Sequence, residues 1–128
     1  MFIDIHEHAK QDIKTIRAKN VNAAATILTV LEQIEADPLA IDKLTTHGNN
    51  TFDEHNINVK QWQTMKRKGN LWRFRVLDTP ATKYRIIYGY HYQTRQICVL
   101  AVVEKGEFNY DDTTSNLAKR IISDWRNI

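Results

Sequence analysis

Apolar residues recur at two different periods along this chain, and the change of period divides it into two halves. Up to about residue 36, apolar positions recur every three or four residues, which is typical of amphipathic helices. After Gly69 and Asn70, apolar and polar residues alternate, which is typical of strands. We therefore expect an α+β fold in which a helical segment precedes most of the sheet.

The first half predicts a short strand and a helical hairpin. Residues 2–5 alternate as a strand does, and helices are expected from about His6 to Lys19 and from about Val21 to Ala36. The second helix ends before Pro38, because proline disfavours helical geometry in the preceding residue. The positions predicted to face inward in this helix are Val21, Ala25, Leu28, Leu31 and Ile34. The hairpin is expected to pack on one face of a sheet.

A polar stretch separates the two halves. Residues 45–58 are rich in Asn, Thr, Asp and His, and they predict a surface loop. Residues 59–67 predict a short amphipathic helix with Trp62 and Met65 facing inward.

The second half predicts a three-stranded antiparallel meander over residues 71–76, 84–92 and 96–103. The third strand is almost continuously apolar, so we expect a central strand buried on both faces. It contains the single cysteine, Cys98, which is expected to be a buried structural thiol. A short helix is expected over about residues 113–125. The whole chain, 1–128, is predicted to form one domain with a small, mainly antiparallel sheet.

Composition narrows the functional classes. The chain has 128 residues, a formal net charge of +3 and 42% apolar residues, which suits a single globular domain. Its longest apolar run, residues 97–103, is far short of the roughly 18–20 residues that cross a bilayer. The acidic start of the chain does not resemble a signal peptide, so we expect a cytoplasmic protein. Neither zinc-ligand spacing nor a glycine-rich phosphate loop is present, so no metal and no cofactor is predicted.

Positive charge is concentrated in one segment. Between Lys60 and Arg95 there are nine basic residues and one acid, a net charge of +8, whereas the remaining chain is net acidic. A surface polarised in this way attracts polyanions, which makes nucleic acid the leading partner class. The alternative is a solvated basic face without a ligand.

The strand pattern predicts where these cations meet. Arg73 and Arg75 share one face of their strand, and Arg85 is expected on the neighbouring strand, with Lys105 at the end of the next. Clustered arginines repel one another unless an anion lies between them, so they indicate a phosphate site. Tyr110 follows in a polar loop, a position that presents its phenol to a site.

The further residues predicted to bind RNA are Lys66, Arg67, Lys68, Lys83 and Arg95. The aromatic residues expected to add stacking surface nearby are Tyr88, Tyr90, Tyr92 and Phe108, although core packing is the simpler explanation for Tyr88.

Three motifs follow one another in the second half: Leu71-Trp72-Arg73-Phe74-Arg75-Val76, then Tyr84-Arg85-Ile86-Ile87-Tyr88, then an aromatic-Tyr-Asp loop. Together with the order of elements, this series of motifs resembles the RelE/ParE superfamily of bacterial type II toxins. In layout the resemblance covers nearly the whole chain, and its specific part is residues 69–111. Residues 45–58 and the basic segment after them resemble an insertion relative to the smallest members.

The RelE branch of this superfamily implies a toxin that cleaves mRNA in the ribosomal decoding site and is neutralised by a cognate antitoxin. In such an endoribonuclease the 2′-hydroxyl attacks the adjacent phosphate without a metal. By resemblance, Arg85 stabilises the transition-state charge, Arg73 and Arg75 occupy two basic positions, and Lys105 and Tyr110 lie near the basic residue and the tyrosine of that branch. Whether the chain forms homo-oligomers, or hetero-oligomers with the antitoxin, is left open.

One difference from that branch concerns the general base. The branch often has lysine where this chain has Arg73 and Arg75, and arginine does not give up its proton. The remaining groups that could accept the proton are Glu104, Glu107, His91 and Tyr110, and the sequence does not choose among them. Two alternatives to the nuclease therefore stay open: a ParE-like inhibitor of DNA gyrase, and a member that binds RNA without cleaving it.

Overall fold

The computed structural model describes residues 3–52, 55–63 and 70–128. In the described part of the chain, no helix has the length and apolar character needed to cross a membrane. The elements, in chain order, are β1 (Ile3–Ile5), α1 (Glu7–Lys19), α2 (Val21–Ala36), α3 (Ala40–Leu44), β2 (Gly48–Phe52), β3 (His55–Gln61), β4 (Leu71–Val76), β5 (Tyr84–His91), β6 (Gln96–Glu104) and α4 (Asn116–Arg126).

The strands form one six-stranded mixed sheet in the order β1-β6-β5-β4-β3-β2. β4, β5 and β6 form the predicted antiparallel meander, and β1 pairs with β6 in parallel. The prediction of a loop over residues 45–58 is wrong, because most of this stretch forms the antiparallel β2–β3 hairpin. Pairing with β4 explains the error: Ile57 and Val59 enter the core and only their polar neighbours stay outside.

The helix predicted over residues 59–67 is not supported where the structure describes it. Residues 59–61 belong to β3, while residues 64–67, including Met65, lie outside the described residues. Trp62 is buried as predicted.

α1 and α2 pack on one face of the sheet, as the helical hairpin predicts. Asn20 ends α1 and caps α2, where its side chain accepts a hydrogen bond from the Ala23 N–H. The predicted inward face of α2 is partly wrong, because Val21 and Leu28 are exposed, as is Ala25. α2 is apolar on several sides, so two overlapping stripes satisfy the helical spacing. The residues that are buried are Ala23, Ala24, Ile27, Val30, Leu31 and Ile34.

α4 covers part of the opposite face of the sheet, which the sequence predicts to be uncovered. Gly89 allows this packing, since a Cβ at this position would overlap with the ring of Trp125. The helix begins three residues later than predicted because Ser115 caps it, accepting a hydrogen bond from Ala118 N–H. Residues of α4 and of the Trp62–Phe108 region form a second apolar core here.

β6 is buried on both faces, as predicted. Leu100 and Ala101 both face the α4 side, at a point where the register between β5 and β6 shifts. Cys98 lies in the same core, and burial raises the pKa of its thiol to about 11. This supports the prediction of a structural cysteine.

Candidate nucleic-acid interface

Five cationic side chains meet on the part of the sheet that α4 leaves uncovered. Arg73 and Arg75 alternate with the buried residues of β4, and Lys60 of β3 pairs directly with Arg73. Phe74 is paired with Ile86, so the next register position sets Arg75 beside Arg85. Lys105 follows β6, and its N–H donates to the Lys83 carbonyl. We call the surface formed by Lys60, Arg73, Arg75, Arg85 and Lys105 the basic groove.

The basic groove encloses a cleft of about 190 Å³ that all five cations line. Among the described residues, no acidic side chain lines this cleft, and none of the five cations forms an ion pair. Burial, followed by the charges of Arg75 and Arg73, lowers the pKa of Arg85. Guanidinium groups gathered without a counter-ion leave an electrostatic cost that a bound anion would relieve.

Tyr110 lies at the side of the basic groove and is held there by aromatic packing. The Trp62 indole N–H donates to the Tyr110 carbonyl at 2.7 Å, and the two rings meet edge to face with centroids 5.6 Å apart. Phe108 packs edge to face against both rings. The Arg73 guanidinium lies 4.3 Å from the centroid of the Tyr110 ring. This packing positions the phenol in the wall of the groove.

The Tyr110 hydroxyl is buried, and no hydrogen bond of ordinary geometry reaches it from the described residues. Burial raises the pKa of Tyr110, and the nearby charge of Arg73 only partly opposes this effect. The phenol therefore keeps its proton at neutral pH. It can donate a hydrogen bond to an anion, but it is a poor general base.

Two further clefts extend the groove, and Arg73 lines both. One, of about 310 Å³, is shared with Arg85, Lys105 and Tyr110, and the other, of about 380 Å³, reaches His47 at the β2 side. The three clefts share Arg73 and together form a basic channel, whose two ends are also lined by the acidic residues Glu104 and Asp111.

Three residues that form or support this channel were not predicted from the sequence. Lys60 and Asn58 line it from β3, and Trp62 anchors Tyr110. The signal was the period of two in Ile57 and Val59, which places Asn58 and Lys60 on the opposite face. The polar composition of residues 45–58 obscured this signal.

Not every predicted RNA-binding residue lies in the channel. Lys83 lies beside it but forms an ion pair with Glu104 at 3.1 Å. Arg95 is in the turn between β5 and β6, at the end of the sheet remote from Arg85. Lys66, Arg67 and Lys68 lie outside the described residues.

Two of the four proposed general bases lie away from the basic groove, and a third is held in an ion pair at its side. Glu107 lines a separate cleft against α1. Glu104 also lines that cleft, but it reaches the cleft of about 310 Å³ beside Arg85 and Tyr110 as well, where it forms an ion pair with Lys83. His91 stacks on Trp125, six residues and about 20 Å along β5 from Arg85. Of the four, Tyr110 and Glu104 line a cleft that adjoins the basic groove.

Most of the predicted stacking surface is also absent from the groove. The Tyr88 hydroxyl donates to the Leu44 carbonyl within the helix-covered core, so the simpler explanation is correct for this residue. Tyr90 packs against the same core, and Tyr92 is exposed in the remote turn. Alternation explains both placements in β5, since Tyr88 and Tyr90 share a face opposite to Arg85.

In the described residues, the side chains with metal-ligand chemistry that converge are His6, His8 and Asp124, at the β1 edge of the sheet. They are remote from the basic groove, since β1 lies three strands from β4. Comparison with models of known protein families, with curated proteins and with solved structures finds no match.

Proposed function

We propose that the chain is an RNA-binding toxin of the RelE type that cleaves mRNA on the ribosome. One observation carries the proposal: five cations without ion-pair partners in the described chain line one cleft, beside a tyrosine whose hydroxyl is buried. RNA offers a phosphate for every nucleotide and bases that stack on aromatic rings. A channel that continues beyond the cleft suits a strand better than a small anion.

The proposed reaction needs no group beyond RNA and side chains. The 2′-hydroxyl of one nucleotide loses its proton, and its oxygen attacks the adjacent phosphorus. The bond to the 5′-oxygen breaks and that oxygen takes up a proton, which leaves a 2′,3′-cyclic phosphate and a 5′-hydroxyl. Arg85 and Arg75 stabilise the additional negative charge on the phosphoryl oxygens. The Tyr110 hydroxyl donates a hydrogen bond to the same group. Lys105 and Lys60 bind flanking phosphates.

The proton on the 2′-hydroxyl needs an acceptor. Among the described residues, the five-cation cleft is lined by neither a carboxylate nor an imidazole. The adjoining clefts are lined by His47 and Asp111 on one side and by Glu104, which is paired with Lys83, on the other. A second candidate function follows from this observation, namely RNA binding without cleavage. The ribosome-bound message would then be the ligand rather than the substrate.

The proposed partners are mRNA in the decoding site and a cognate antitoxin. An antitoxin that covers the basic groove would place acidic side chains against its five cations. Association would then be fast and would weaken as salt is added, because exposed charges are screened.

The decisive experiment maps mRNA cleavage by primer extension in a translation extract, with and without ribosomes. We expect cleavage only on translating ribosomes, and Arg85→Ala should reduce it about 100-fold or more, because one charge-stabilising group is removed from the transition state. Arg17→Ala is the matched control: Arg17 is exposed on α1, so its removal should leave cleavage unchanged.

Each alternative has its own outcome. RNA binding by folded protein without any cut would support the second candidate function. Inhibition of DNA supercoiling in the absence of ribosomes, unaffected by Arg85→Ala, would replace the proposal with a gyrase inhibitor.

A further inference from the structure

A second chemically distinct cluster lies where the start of α1 meets α4. His6 caps α1, His8 lies in its first turn, and Asp124 comes from the last turns of α4. Their possible ligand atoms lie within 4.8 Å of one another. The proposed RNA chemistry uses none of these residues.

The two imidazole rings converge on one carboxylate. Nδ1 of His8 lies 2.6 Å from Oδ2 of Asp124, and Nδ1 of His6 lies 3.5 Å from the same oxygen. The rings are tilted by 44° with centroids 5.0 Å apart, so they do not stack on each other. Asp124 is only 8% exposed, which holds its carboxylate in place, whereas His8 is half-exposed and can adjust.

We propose that His6, His8 and Asp124 form a binding site for a divalent first-row transition-metal ion, with Zn²⁺ as the best fit. Two imidazole nitrogens and one carboxylate oxygen are ligands of Zn²⁺, whereas Mg²⁺ and Ca²⁺ prefer sites made of oxygen. Tetrahedral ligands about 2.0–2.1 Å from one ion are roughly 3.4 Å apart, so the ligand atoms, now within 4.8 Å of one another, must close by up to about 1.4 Å. A water molecule would complete the tetrahedron.

The surrounding charges allow a cation to bind. Nε of Arg120 lies 4.0 Å from Oδ2 of Asp124, but the same guanidinium binds Asp12 at 2.8 and 3.3 Å. With both imidazoles neutral, one guanidinium and two carboxylates leave a net negative charge. An ion bound through Nδ1 of His6 would replace the hydrogen bond that this atom accepts from the His8 N–H. The metal bonds would offset that loss.

Such an ion would tie the N-terminal end of α1 to α4. These elements are distant in sequence, so the ion closes a long loop and binds only the folded chain. Zinc should therefore raise the midpoint of thermal unfolding by several degrees at saturating concentration.

The test uses the full chain, without a polyhistidine tag, in calorimetric titrations with Zn²⁺ alone and in thermal unfolding with and without it. We expect one ion per chain with a Kd below about 10 µM. His8→Gln should weaken binding by at least about 30-fold and abolish the thermal shift, because it removes a ligand at a half-exposed position. His55→Gln is the matched control, since this histidine lies on β3 outside the cluster, and it should bind zinc as the unmodified chain does.

A second readout is the visible spectrum of the Co²⁺-loaded chain, where tetrahedral nitrogen and oxygen ligation gives intense absorption that His8→Gln should remove. His6→Gln should weaken binding in the same way, and His8→Gln keeps the test valid if loss of the His6 cap lowers stability. Binding only at millimolar zinc, or equal affinity in the unmodified chain and His8→Gln, would overturn the proposal.

Discussion

Two charged regions of this protein handle charge in opposite ways. In the basic groove, five cations lie together and none has an ion-pair partner among the described residues. In the α1–α4 cluster, formed by His6, His8, Asp12, Arg120 and Asp124, each charge has a partner within the cluster. Arg120 binds Asp12 through two hydrogen bonds, and Asp124 accepts from His8.

The difference separates charges that are paired with one another within the fold from charges that have no counter-ion among the described residues. β1 pairs only with residues 97–99 of β6, and beyond it Asp12 accepts from the Val102 N–H while Arg120 donates to the Leu100 carbonyl. The α1–α4 cluster therefore completes the edge of the sheet. No described residue forms an ion pair with the basic groove, so a bound anion would relieve its repulsion.

The largest expected effect comes from breaking the α1–α4 cluster. Arg120→Ala should lower the free energy of unfolding by about 2–3 kcal/mol, because it leaves the partly buried Asp12 and the Leu100 carbonyl without their partner. Urea denaturation followed by circular dichroism measures this change. Lys119→Ala, an exposed position on the same helix, should change stability by less than about 0.5 kcal/mol. Equal effects of the two substitutions would contradict the structural role of the cluster.

A smaller effect is expected from removing one cation of the basic groove. Lys60→Ala should weaken binding of single-stranded RNA several-fold and reduce the slope of log affinity against log salt by about 0.7, because one phosphate contact is lost. Fluorescence anisotropy at several salt concentrations measures both quantities. Lys14→Ala removes an exposed lysine of α1 and should change neither. An unchanged slope in Lys60→Ala would remove this residue from the RNA path.

The smallest expected effect is a change in the free energy of unfolding whose direction distinguishes the basic groove from the α1–α4 cluster. Arg75→Gln should leave the free energy of unfolding unchanged or raise it by up to about 0.5 kcal/mol, because it relieves repulsion with Arg85 and breaks no ion pair in the described chain. Any gain should shrink at high salt. A loss of stability comparable to that of Arg120→Ala would mean that the basic groove also supports the fold.

The sequence predicted the elements whose pattern is local and strong. α1, α2 and the β4–β6 meander follow from apolar spacing, and the shared face of Arg73 and Arg75 follows from alternation within one strand. The prediction from the sequence was wrong where the residues fit two different patterns. Residues 45–58 are polar enough for a loop, yet most of them form two strands because β4 offers an edge to pair with. The inward face of α2 was similarly undetermined, since apolar residues surround much of the helix.

Candidate site residues divide in the same way. Arg85 and Lys105 were expected near Arg73 from the meander, and the register brings them together. The position of Lys60 depended on β3, which was not predicted. His91 and Arg95 are separated from Arg85 because they lie at and beyond the opposite end of β5. The role of Trp62 in holding Tyr110 joins residues 48 positions apart, which no local pattern reveals.

The sequence by itself determined the α+β class, the central strand with its buried thiol, and a row of arginines on one face, because periodicity and side-chain chemistry act over a few neighbouring residues. Tertiary structure alone decided which cations share a cleft and which are neutralised, and it brought Asp124 to a histidine pair more than 100 residues away. The physical reason is that strand register and helix packing minimise the free energy of the whole chain. Charge pairing and ligand geometry result from that arrangement rather than from spacing along the sequence.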